Sequence, residues 1–118
     1  MKRKELEERL IDFAVLIIEL AESNKKNYAG NHLSGQMIRS GTSAPLNYGE
    51  AQSAESHRDF LHKMQIVLKE LRETHVCLKI IIRANLNTNT QKLEHALKEN
   101  DELISIFVIS VKTAKSNK

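Results

Sequence analysis

One proline decides how many helices this chain can form. Pro45 lies in RSGTSAPLNYGEA, Arg39 to Ala51, next to Gly41 and the hydroxyls of Thr42 and Ser43. If that segment is a loop, the chain splits there and a short helix stands on each side. If it is helical, the chain forms four long helices. The spacing favours the helix: Leu33, Met37, Gly41, Ala44, Tyr48 and Ala51 step by three and four straight through it. A proline inside a helix costs about 3 kcal/mol or more, because it removes a donor and its ring presses on the carbonyl four residues back. For Pro45 that carbonyl belongs to Gly41, where the absent side chain lets the backbone bend. Thr42 and Ser43 can bond backwards to nearby carbonyls. We therefore expect one helix over 31–53, kinked at Pro45 and capped by Asn31.

The other segments follow the same period. Leu6, Leu10, Phe13, Ile17 and Leu20 form a buried stripe on a helix over 4–23. Ile11, Val15 and Ile18 form a second stripe, and the polar Asp12 and Glu19, seven apart, share one narrow face. That is more apolar surface than a helix in a four-helix monomer hides, so Ile11, Val15 and Ile18 are expected at an interface with another subunit. A third helix over 56–83 is expected to bury Leu61, Met64, Leu68, Leu71, Leu78 and Ile82, with His75 filling one step. After the break NLNTNT, a fourth over 91–115 carries Leu93, Leu97, Asn100, Ile104, Phe107, Val111 and Ala114. The polar, basic end KTAKSNK should fray. The expected fold is all-α, an antiparallel up-and-down four-helix bundle in a single domain over 1–118.

Several kinds of chemistry find no support. None of the five histidines follows a glutamate by three residues, so the carboxylate–histidine pairs of bundle metal sites are missing. Asp59 and His62 have that spacing, but one such pair is a helix-surface contact rather than half a metal site. Gly35, Gly41 and Gly49 lack the spacing of a phosphate-binding loop. We expect no catalytic, cofactor or metal site, and no enzyme. The lone Cys77 excludes an internal disulfide and reads as a small buried residue. Asn100, on an apolar stripe, either fixes helix register as buried asparagines do in coiled coils, or sits at the stripe's edge in water. The N-terminal apolar run is interrupted by Asp12 and Glu19, which argues against a signal peptide or a membrane span and for the cytoplasm.

Two polar sets remain. Arg39, Ser43, Asn47 and Glu50 fall on one face of the second helix, and Glu70 and Glu73 lie on the third. They are expected to form one structural network, with Arg39 bridging to Glu70 or Glu73. The basic residues Lys2, Arg3 and Lys4 open the chain, Lys25 and Lys26 end the first helix, and Lys112, Lys115 and Lys118 close the chain. The formal net charge is +3, which permits contact with nucleic acid without demanding it. An up-and-down bundle brings the first and last clusters to one end. Glu5, Glu7 and Glu8 beside the first cluster favour instead a merely solvated surface.

The motifs are familiar. MIRSGTSAPLNYGEAQSAES followed by DFLHKMQIVLKELRETHVCLKIII resembles the bacterial four-helix-bundle family encoded within intervening sequences of 23S ribosomal RNA genes. The signature is carried by Arg39, Ser40, Thr42, Ser43, Pro45, Asn47 and Glu50, by Lys69, Glu70, Glu73 and Thr74, and by Ser110, Lys112 and Thr113. Val76 and Cys77 stand where many relatives have aromatic residues. The chain is also similar to accessory proteins of diversity-generating retroelements, which form a ring and bind nucleic acid beside a reverse transcriptase. The resemblance implies a barrel-like ring, typically a pentamer, in which each basic cluster repeats around the axis as a collar. The expected function is a non-enzymatic oligomeric binding protein that contacts ribosomal or other structured RNA through basic rims. The alternative is a protein-docking scaffold or regulatory protein with no nucleic-acid contact.

Overall fold

The computed structural model describes residues 1–117. It contains α1 (Arg3–Ser23), α2 (Tyr28–Gln52), α3 (His57–Arg83) and α4 (Thr90–Ser116). α1 packs on α2 and α4, and α3 packs on α2 and α4, while neither diagonal pair brings its backbones together. The helices thus occupy the corners of a square, each antiparallel to its neighbours, in an elongated body of 47 × 23 × 20 Å. The α2–α3 seam is the most extensive and the α1–α4 seam is the thinnest. Two ionic clasps cross that thin seam. Arg9 Nε donates to Glu99 Oε2 at 2.9 Å and Arg9 Nη2 to Glu102 Oε1 at 3.2 Å. Lys92 Nζ donates to Glu19 Oε1 at 3.3 Å.

Short polar side chains start three of the helices. Ser56 accepts from Asp59 N at 3.0 Å and Asn89 from Lys92 N at 3.1 Å. α2 begins three residues before the expected Asn31, because Asn27 takes the cap and accepts from Gly30 N at 2.8 Å. At that end of the bundle the α1–α2 and α3–α4 connections are bonded to each other. Lys25 N donates to Leu86 O at 2.8 Å. The buried Asn87 carboxamide donates to Leu20 O, Ser23 Oγ and Asn24 Oδ1 at 2.9–3.0 Å.

α2 runs unbroken from Tyr28 through Pro45 to Gln52. Side chains add bonds along the proline turn: Thr42 Oγ1 donates to Ile38 O at 2.6 Å, and Asn47 Nδ2 donates to Ser43 O at 2.9 Å. Gly41 also serves the neighbouring helix. A Cβ built there would lie 3.0 Å from Ile17 Cγ2 on α1, so the missing side chain is what lets the two helices approach.

The stripe read on α1 is buried in full, and Leu10, Ile17 and Leu20 have no accessible surface. Burying each such side chain contributes about 1.5–3 kcal/mol. Across the centre, Tyr48 of α2 meets Phe107 of α4 edge to face, with ring centroids 5.6 Å apart. The face buried by α3 differs from the expected one. Its inner positions are Met64, Val67, Leu71, Thr74, Leu78 and Ile81; Leu61, Leu68 and His75 are only half-buried and Ile82 is exposed. The rotation follows from the α2–α3 seam. It draws Glu70 and Thr74 inward to polar partners on α2, and with them the side of α3 on which they lie.

Candidate functional site

The polar residues of α2 and α3 meet at the middle of their shared seam. Arg39 Nη1 donates to Glu70 Oε2 at 2.7 Å, and Nη2 bonds Glu73 Oε2. Arg39 is half exposed, whereas the Glu70 side chain is only 4% exposed. The guanidinium therefore covers a carboxylate that the fold has taken out of water. Beside it and deeper in the seam, the buried hydroxyls of Ser40 and Thr74 lie 2.7 Å apart, and Thr74 Oγ1 donates to Glu70 O at 2.9 Å.

Ser43, Asn47 and Glu50 do not join this cluster, so the single network expected from their spacing is instead three local sets. Asn47 Nδ2 donates to Ser43 O and Ser43 Oγ, both at 2.9 Å, within α2. Glu50 Oε1 accepts from Lys63 Nζ at 2.7 Å, well along the seam toward the α2–α3 turn. That bond raises the Lys63 ammonium above its ordinary pKa. Shared helical facing brought Arg39, Ser43, Asn47 and Glu50 to one side, but each finds its own partner within reach.

The basic chain ends lie at the end of the bundle that carries the α2–α3 turn. Lys2, Arg3, Lys4, Lys112 and Lys115 are exposed; Lys118 lies outside the described residues. Arg3 lines a shallow cleft with Gln52, Glu55, Ser56, His57 and Phe60. On the other side of His57 a second cleft is lined by Phe60, Met64, Ile109, Ser110 and Thr113. His57 Nε2 lies 2.8 Å from Ala114 O and ties the start of α3 to the end of α4. The first and last clusters are thus brought to one end, where Glu55 of the turn shares a cleft with Arg3.

On α1, Ile11 is 41% and Val15 48% exposed, and Ile18 is half-buried. Sequence reading missed their companions. Ile38 and the 66% exposed Leu46 stand on α2, and Val76 and Ile80 on the outside of α3. Their signal was present as apolar residues off the main stripes. Asn100 is fully buried on α4, and its Nδ2 donates to Leu71 O of α3 at 3.1 Å, so the water's-edge reading falls. Its Oδ1 has no partner among the described residues. His75 Nε2 lies 2.9 Å from Asp101 Oδ1 at the α3–α4 seam. Cys77 is buried, and burial pushes its thiol pKa up, against a smaller pull from Arg39. Among the described residues no group of His, Cys, Asp and Glu is arranged to hold a metal ion. No described helix is long and apolar enough to cross a membrane.

These features define an up-and-down four-helix bundle whose polar signature builds a helix seam and whose outer faces keep apolar rows in view. The chain belongs to the 23S rRNA-intervening sequence protein family, whose model matches residues 3–108. It is similar to a crystal structure from Bacteroides thetaiotaomicron VPI-5482, a protein with unknown function from the S23 ribosomal protein family. The two share 33% identity with a TM-score of 0.83, over 95% of this chain and 99% of that one. No curated protein matches the chain.

Proposed function

We propose that this chain is a non-enzymatic, self-associating cytoplasmic protein that contacts structured RNA through basic residues displayed by the assembly. The observation that carries the reading is the row formed by Ile11, Val15 and Ile18 on α1, to which α2 adds Ile38 and Leu46. Exposed apolar residues gathered in rows on neighbouring helices mark an interaction site. A ring, pentameric as in related bundles, would cover it and would repeat Lys2, Arg3, Lys4, Lys112 and Lys115 around one rim. Phosphate backbones respond to such summed charge and release counterions on binding. The family's name ties it to intervening sequences of 23S rRNA, which makes that RNA the first to test.

Light scattering of the purified chain, joined to gel-shift titration with structured 23S rRNA fragments at two salt concentrations, tests the reading. Expected are a mass of several chains, binding that weakens as salt rises, and loss of binding on reversing Lys2, Arg3 and Lys4 to Glu. An assembled protein that binds no RNA even in low salt would favour a protein-docking scaffold. Glu55 beside Arg3 is the observation on that side. A stable single chain would defeat both.

A further inference from the structure

The outer surfaces of α1 and α3 are opposite in charge. On α1, Glu5, Glu8, Asp12, Glu19 and Glu22 are exposed, and from 5 to 22 no exposed cation stands among them. Arg9, the one cation of that stretch, is partly covered and bonded to Glu99 and Glu102. On α3, Lys69, Arg72, Lys79 and Arg83 are exposed, and from 65 to 83 no exposed carboxylate stands among them. Glu70 is buried and Glu73 half-buried, both held by Arg39. The same stretches carry exposed apolar residues beside those charges: Ile11 and Val15 on α1, Val76 and Ile80 on α3. The two helices occupy diagonal corners of the square and their backbones do not come together, so their outer surfaces lie on different sides of the body and one chain cannot satisfy both.

Resting on the self-association reading, we propose that copies of this chain join head to tail, the outer face of α1 in one copy seating on the outer face of α3 in the next. The occupant is set by charge. Pairing α1 with α1 in a two-fold dimer would set carboxylates against carboxylates, and pairing α3 with α3 would set cations against cations. Only the unlike pairing brings apolar residues together at the centre while opposite charges meet at the rim. RNA would match the α3 cations, but it would leave Val76 and Ile80 against a polar backbone and the α1 carboxylates unanswered. The rim charges steer encounter, and the central apolar residues hold the pair.

Because one chain offers two different faces, the arrangement makes a sharp prediction for mixed variants. Val15→Lys places a cation on the face that must meet cations, and Val76→Glu places an acid on the face that must meet acids. Both positions are exposed, and circular dichroism checks each fold; Ile11→Lys with Ile80→Glu is a second pair should either fail. By light scattering each variant alone is expected at the mass of one chain, 13.5 kDa. Their equimolar mixture is expected at twice that mass or more, because each chain retains one intact face. If the wild type assembles while Val76→Glu assembles equally well, the face assignment is overturned and self-association stands. If Val76→Glu assembles and Lys69→Glu with Arg72→Glu abolishes RNA binding instead, the α3 face belongs to nucleic acid and the proposal falls. A wild type that remains a single chain overturns this proposal together with the reading on which it rests.

Discussion

Gly41 and Gly35 sit in the same helix and hold their places for different reasons. A Cβ at Gly41 would press on Ile17 Cγ2 at 3.0 Å, and Ile17 is fully buried and stiff at its branched Cβ. A Cβ at Gly35 meets nothing within 4 Å. Gly35→Ala should therefore raise stability by about 0.5–1 kcal/mol, the helix preference of alanine over glycine. Gly41→Ala should lower it by about 1–2 kcal/mol, since crowding in a packed core exceeds that gain. Urea denaturation of the two variants checks both signs. The sequence placed Gly41 on the buried stripe and read it as both relief for the Pro45 ring and a point of close approach. Only packing could name Ile17 as the group that approaches.

At the scale of elements, α3 is set by its seam with α2. Leu71 and Leu78 were legible as core from their spacing. The inward turn of Glu70 and Thr74 was not, because a carboxylate and a hydroxyl read as outside until their partners Arg39 and Ser40 are in view. The same cause hid the exposure of Ile82 and the burial of Ile81. Helix α2, by contrast, was legible across its whole proline segment, because the three-and-four step does not miss a turn there. Removing Arg39 strands the buried Glu70 carboxylate, with Lys69 only as near as 4.0 Å. Arg39→Met is therefore expected to cost about 3 kcal/mol, and adding Glu70→Leu to recover most of it. A double-mutant cycle in urea measures the coupling; additive losses would show that the pair is not a unit.

For the whole molecule, two buried acids set how stability responds to alkali. Burial raises the pKa of the Cys77 thiol and of the Tyr48 phenol, the latter helped by Glu7 and opposed by Arg3. The folded chain then keeps protons that the unfolded chain releases. Their contribution is complete below the unfolded thiol pKa of about 8.5 and declines as pH rises beyond it. The urea midpoint should fall from about pH 8 to about pH 10, where an unfolded thiol has ionised, and Cys77→Val should flatten the first part of that fall. The bundle itself was plain in the sequence. The opposition of α1 and α3 was not, because a list of charges does not say which of them survive at the surface. Arg9 and Glu70 had to be removed from the count by their partners before the signs separated. The slender contact between first and last helices has its own meaning. Few backbone approaches join that edge, and the forked Arg9 and Lys92 lace it from outside. Charges so placed are screened by dissolved electrolyte, so protection of the amides lining that edge from exchange should fall first as salt rises.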